Sequence, residues 1–162
     1  MSVIDSAEFA VSRARMSGQV AVAELSRLAE LVLDPVAQLD WELEGGVDKL
    51  ERPWLYLAVS GELQLACQRC LKPMRLPVKC ETVLTLFADE SAIDEAEAAD
   101  EDLEGMVIDP ELDVLALVEE EVLLALPYAP RHEVCAEGDV TIVAEKPNPF
   151  AVLAQLKTRK AE

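Results

Sequence analysis

Hydrophobic residues recur at every second position in four successive stretches, and nothing else in the sequence limits the fold as tightly. Over 37–44 the alternation runs through Leu39, Trp41 and Leu43 and stops at Gly45-Gly46; over 53–59 it runs through Trp54, Tyr56 and Ala58. Ser60-Gly61 reads as a tight connection into 62–66, where Leu63 and Leu65 alternate again, so this hairpin delivers Cys67. Lys72-Pro73 turns the chain, and 77–87 places Val78, Cys80, Thr82, Leu84 and Leu86 on one face. A period of two sends neighbouring side chains to opposite faces of a strand, so each stretch offers one face to a core. Short turns between such stretches favour antiparallel neighbours.

Two segments carry a helical period instead. Leu25, Leu28, Ala29 and Val32 form one stripe that Asp34-Pro35 stops, although Val20 and Val22 just before it alternate as a strand would. Asp109 can cap, and Pro110 can open, a helix in which Leu112, Leu115, Val118 or Glu119, Val122 and Leu126 trace one side before Pro127 ends it. Strands first and the major helix late predict an α+β fold, a mainly antiparallel sheet packed against one long helix and a shorter N-terminal helix. A chain of 162 residues, 51% of them hydrophobic, suits a single domain over 1–162 with its own core. Residues 89–104 are dominated by Ala, Asp and Glu, lack Lys and Arg, and keep no apolar period, which predicts a mobile acidic loop. Residues 146–162 read as a C-terminal tail in which Phe150 and Leu153 are candidate docking residues, on this domain or on a partner.

Charge narrows the function classes. Against 32 acids stand 14 bases, a net charge of -18 that repels nucleic-acid phosphates and anionic membranes as a whole and favours a basic protein partner. No apolar run approaches the roughly 20 residues of a membrane span. The first residues carry Asp5, Glu8, Arg13 and Arg15 where a secretion signal needs an apolar stretch, so a cytoplasmic location is expected. Between Leu63 and Cys80, however, the only ionic residues are Arg69, Lys72, Arg75 and Lys79. This basic hairpin tip is a candidate contact for RNA phosphates or an acidic protein surface; its alternative use is pairing with the chain's own acids. No aromatic residue interleaves the four, so base stacking is not indicated.

The cysteines supply the chemistry worth weighing. Cys67 and Cys70 have the C-x-x-C spacing that lets two sulfurs meet one ion, and His132 and Cys135 have the spacing of a second pair. Together they form a candidate zinc site, with thiols lacking metal as the alternative. Thiol exchange is a third use, since Arg69 and Lys72 would stabilise thiolate, but Pro73 and Pro77 place the pair in extended chain rather than at a helix start. Cys80 reads as a small buried hydrophobe within a strand. Glu119, Glu120 and Glu121 are consecutive on a helix, so they diverge by about 100° each and cannot converge on one substrate atom; a solvated face or partner contact is expected. With one histidine and no glycine-rich phosphate loop, no nucleophilic triad or nucleotide site is indicated.

Three segments taken in order carry a resemblance: Cys67-Gln68-Arg69-Cys70-Leu71-Lys72-Pro73; 113–127 with Glu119, Glu121 and Leu123-Leu124-Ala125-Leu126-Pro127; and Lys146-Pro147-Asn148-Pro149-Phe150-Ala151-Val152-Leu153. From about Gly18 to the C-terminus the chain resembles the bacterial YceD family of large-ribosomal-RNA accumulation proteins. The resemblance implies a bacterial cytoplasmic, non-enzymatic factor for synthesis, processing or stability of large-subunit ribosomal RNA. It further implies an assembly role through a ribosomal protein, an rRNA-processing factor or the large-subunit rRNA precursor. Many family members carry further C-terminal cysteines that look like a second metal half-site, where this chain has His132 and Cys135. The competing expectation, from the thiols alone, is a thiol- or metal-dependent enzyme acting on RNA or on a protein disulfide.

Overall fold

The computed structural model describes residues 3–135, which form a five-stranded sheet with most helices packed on one face and one, Glu90–Ala99, on the other face at the sheet's edge. In chain order the elements are β1 (Val3–Ile4), α1 (Ser6–Val11), β2 (Arg15–Ala21), α2 (Ser26–Ala29), β3 (Gln38–Val47), β4 (Pro53–Ala66) and β5 (Pro73–Phe87). They continue with α3 (Glu90–Ala99), β6 (Glu104–Val107), β7 (Leu112–Asp113) and α4 (Val114–Ala125). Strands β2 to β6 pair in sequence order; β2 through β5 are antiparallel, and β6 joins β5 in parallel through α3. A separate two-stranded ladder pairs β1 with β7 and ties the N-terminus to the start of α4. The α+β class with a mainly antiparallel sheet is therefore the observed one.

Alternation decides which face is covered. Leu39, Leu43, Leu55, Leu57, Val59 and Leu63 point inward and are essentially sealed from solvent. Over them lie Leu28 from α2 and Val114, Val118 and Val122 from α4, at the spacing that puts three residues on one side of a helix. Helix α4 begins later than Asp109-Pro110 suggests. Leu112 and Asp113 are held extended by pairing with β1, and it is Asp113 that caps, accepting hydrogen bonds from the amides of Leu115 and Ala116 at 3.0 and 3.4 Å. The N-terminal helix signal at 26–33 is likewise shorter, four residues of α2, because Val20 belongs to β2 and the stripe turns out of the helix after Ala29. Helix α1 carried no usable period in its six residues.

Two dipeptides, one read as a strand end and one as a tight connection, lie inside strands. β3 passes through Gly45-Gly46 and β4 passes through Ser60-Gly61, so the predicted hairpin at Ser60-Gly61 does not form. These glycines supply space. A Cβ on Gly45 would stand 2.6 Å from the Phe9 carbonyl oxygen and 2.7 Å from the Ala10 Cα, since the α1 backbone lies directly on the sheet there. A Cβ on Gly61 would stand 2.5 Å from the Leu39 side chain. The chain reverses instead between β4 and β5, where Leu71 takes the left-handed conformation at φ 60° that a side chain normally avoids.

The stretch predicted as a mobile acidic loop, 89–104, is instead helix α3, a short connection over 100–103 and the first residue of β6. Asp89 caps it by accepting from the Ala92 amide at 2.9 Å, and the Ala and Glu content that argued for a solvated loop is also what a helix prefers. Ile93 is its apolar anchor, seated where Gly105 leaves room, and Glu97 accepts from the Gly105 amide at 3.1 Å.

Glu119 corrects a second expectation, since it is buried rather than part of a solvated acidic face. Leu25, at the N-cap of α2, offers no capping side chain, and the Glu119 carboxylate takes that role from another helix. It accepts from the amides of Arg27 and Leu28 at 2.8 and 3.1 Å and pairs with the Arg27 guanidinium at 3.0 Å. Burial works against its ionisation, but the Leu28 amide, the Arg27 guanidinium and the Arg27 amide outweigh this and hold it below the ordinary value of 4.5. Glu120 pairs with Arg27 at 2.8 Å from the exposed side, and Glu121 accepts from the Thr82 hydroxyl at 2.7 Å.

Two measurements follow. Gly45→Ala is expected to cost about 1–3 kcal/mol in denaturant unfolding through overpacking of α1 against β3; an unchanged midpoint contradicts that contact. Glu119→Gln is expected to cost about 1–3 kcal/mol at neutral pH by weakening the hydrogen bonds to charged oxygen. The folded state favours the carboxylate more than the unfolded chain does, so the wild-type advantage is complete above pH 4.5 and fades as pH falls through the lowered value. A gap between the two proteins that stays constant down through that range rules out the ionised carboxylate as its source.

Candidate metal centre at the hairpin tip

The reversal between β4 and β5 is a compact loop. The Cys67 amide donates to the Lys72 carbonyl at 3.0 Å and the Leu71 amide donates to the Cys67 carbonyl at 2.8 Å, which brings Cys67 and Cys70 to the same side. After α4, Pro127 cannot continue the helix, and the chain runs without regular structure to Cys135. One backbone bond steers it: the Gln68 amide donates to the Pro130 carbonyl at 2.8 Å, laying residues 130–135 across the hairpin tip.

Two pairs separated by more than sixty positions thus converge. Ligand atoms of Cys67, Cys70, His132 and Cys135 all lie within 4.8 Å of one another, a set that could hold a metal such as zinc. Sγ of Cys67 and Sγ of Cys135 are 3.7 Å apart, and Nδ1 of His132 stands 3.4 Å from Cys70 Sγ and 4.0 Å from Cys135 Sγ. Nε2 of His132 lies 3.2 Å from the Pro73 carbonyl, which suits it to donate there and leaves Nδ1 facing the sulfurs with its lone pair. Cys67 is buried, and the other three are half-buried.

The electrostatics favour anionic sulfur. Burial raises the Cys67 thiol, but the backbone amides of Cys70, His132 and Arg69 outweigh it and bring the thiol down to about 5. The Arg69 guanidinium lowers Cys135, and the Cys135 and Cys67 sulfurs in turn raise His132. Cys70 moves the other way: the Lys72 amide favours its thiolate, yet burial and the neighbouring Cys67 and Cys135 sulfurs prevail.

The basic residues of the tip part company. Arg69 folds into the centre, its Nε donating to Cys135 Sγ at 2.9 Å and its Nη2 to the carbonyls of His132 and Glu133 at 3.1 and 3.4 Å. Arg75 pairs with Glu62 at 3.3 Å and Lys79 with Glu81 at 2.9 Å, while Lys72 is exposed on the loop. Cys80 stays apart, its thiol directed at the Val59 carbonyl and raised by burial. Phe150 and Leu153 lie outside the described residues. Sequence reasoning paired the four ligands by spacing and offered Arg69 as a stabiliser of thiolate, but missed the Pro73 and Pro130 carbonyls, whose role depends on backbone direction, and that the sulfur Arg69 meets is that of Cys135.

With this geometry in hand, the chain can be placed among known proteins. Residues 55–157 match the family model described as large ribosomal RNA subunit accumulation protein YceD. A relative from Haemophilus influenzae bearing the same description is 33% identical over 96% of this chain and 95% of its own length. No solved structure matches. The family match takes in β4, the hairpin tip, α4 and all four converging ligands, and the relative extends the likeness across nearly the whole chain: this protein belongs to the YceD family.

Proposed function

We propose that this chain is a non-enzymatic factor that supports accumulation of large-subunit ribosomal RNA in the bacterial cytoplasm, acting by binding during ribosome assembly. The observation that carries the reading is the likeness to the Haemophilus influenzae relative, which spans 96% of this chain and 95% of that one. Among the described residues no helix is long and apolar enough to cross a membrane. In this reading the cysteine and histidine centre maintains shape and turns over no substrate.

The partner classes are a ribosomal protein, an rRNA-processing factor or the rRNA precursor itself, and surface chemistry favours a basic protein. Over β2 to β5 the sheet face opposite the core carries five acids, Asp40, Glu42, Glu44, Glu62 and Glu81, against Arg15, Arg75 and Lys79, which pair with Glu42 and Glu44, with Glu62 and with Glu81. Trp54, Tyr56 and Val83 stand beside them as half-buried or exposed apolar surface, suited to the stems of Lys and Arg side chains. Helix α3 adds Glu90, Asp94, Glu95 and Glu97 at the sheet's edge. The basic tip contributes Lys72, together with Arg75 and Lys79 where they release their intramolecular acids.

Cells lacking the protein should contain less large-subunit than small-subunit ribosomal RNA, restored by this chain; an unchanged ratio ends the reading. For the partner, Glu42→Lys with Glu81→Lys should reduce recovery of co-purifying basic proteins about tenfold at low salt, with a smaller effect at high salt. Full recovery by that variant, with loss instead on replacing Lys72, Arg75 and Lys79 by Ser, transfers binding to the hairpin tip.

A further inference from the structure

We infer that Cys67, Cys70, His132 and Cys135 bind a zinc ion in a closed, structural site, and that Arg69 completes it as a charge-neutralising partner outside the coordination sphere. This goes beyond the ribosomal reading and does not depend on it. The first support is metric. Four ligands around zinc at about 2.3 Å for sulfur and about 2.0 Å for nitrogen define a tetrahedron whose S–S edge is about 3.8 Å and whose S–N edge is about 3.5 Å. The Cys67 to Cys135 separation is 3.7 Å and the Cys70 to His132 separation is 3.4 Å, so two opposite edges of the tetrahedron already stand at bonding span. A third edge, His132 to Cys135 at 4.0 Å, needs to shorten by about half an ångström, and the other three lie within 4.8 Å.

The second support is the arrangement around the ligands. Zinc-binding histidines usually donate their other ring N–H to a carbonyl or carboxylate, which fixes tautomer and orientation. His132 faces the Pro73 carbonyl through Nε2 and the sulfurs through Nδ1. Three thiolates, a neutral imidazole and a divalent ion carry one net negative charge, and Arg69 supplies the compensating positive charge through its contact with Cys135 Sγ. No open coordination position remains in a four-ligand set, which distinguishes a structural from a catalytic site.

The site also explains why residues 127–135 lie where they do. Their described backbone ties to the hairpin are the Gln68 amide at Pro130 and the Arg69 guanidinium at His132 and Glu133. Two ligands from this segment would fasten it to the hairpin tip.

The full chain, expressed with ample zinc and purified without chelator, should contain one zinc per molecule. Cobalt added to the metal-free protein should give thiolate charge-transfer and tetrahedral ligand-field absorption. Cys135→Ser should abolish tight binding while Cys80→Ser retains it, and Arg69→Gln should keep the metal but release it to a chelator about tenfold faster. Chelation should accelerate hydrogen exchange at the Gln68 amide and in 130–135 while leaving the β3 to β5 amides protected. Metal-free wild-type protein that shows no thiolate-cobalt absorption overturns the proposal, as does isolation with a Cys67 to Cys135 disulfide. Undiminished zinc in folded Cys135→Ser overturns the four-ligand set.

Discussion

The pairing of β4 with β5 is the constraint on which the rest of the structure hangs. Strands of 14 and 15 residues run antiparallel from Trp54 opposite Thr85 to Ala66 opposite Pro73, without a break at Ser60-Gly61. Their length carries the Cys67 to Cys70 reversal to one end of the sheet, beyond the reach of β2 and β3. Because strand faces alternate, this same register fixes which residues meet α4 and which remain on the acidic outer face. A slip by one position would exchange Leu55, Leu57 and Val59 for Trp54, Tyr56 and Ala58 in the core.

Two tertiary ties then close the helical side. At one, Glu119 on α4 supplies the capping oxygen that α2 lacks, so a helix of four residues, too short to persist alone, is held against the core by another element. At the other, the Gln68 amide captures the Pro130 carbonyl and brings the segment after α4 to the hairpin tip. Both ties join the two halves of the chain, and both use a group whose sequence context says nothing of its partner. The sheet's outer face is covered by a helix only at its β5–β6 edge, where Ile93 of α3 lies on Gly105, and its acids and aromatics over β3 to β5 are the surface proposed for a partner.

Much of the fold was legible from periodicity. The strands around Leu39, Leu63 and Val78 and the apolar side of α4 follow directly from spacing, because burial of one face is what that spacing achieves; over 53–59 it is the other set, Leu55, Leu57 and Val59, that is buried, and Trp54, Tyr56 and Ala58 lie on the outer face. Glycine and acidic composition misled for one shared reason: each has two physical uses. Gly45 and Gly61 are small as well as flexible, and the sheet uses their size against the α1 backbone and Leu39. The Ala and Glu of 90–99 are solvated as well as helix-forming, and a cap at Asp89 with one anchor at Ile93 was enough to choose helix. Residues near the centre were legible as ligand types, since C-x-x-C and H-x-x-C spacings reflect local reach, but their convergence depended on a chain reversal after Pro127.

Residue type and spacing alone were enough for the family, the α+β class, the inward faces of β3 and β5 and the four candidate ligands, three thiols and an imidazole. Each of these is written in residue type and in spacing over a few positions. The tertiary structure decided what distance along the chain conceals: that His132 and Cys135 meet Cys67 and Cys70, that Arg69 faces sulfur instead of solvent, and that Glu119 caps α2 from inside the core. Those outcomes follow from long-range backbone hydrogen bonds and burial, whose partners lie sixty to ninety positions apart and leave no local pattern to read.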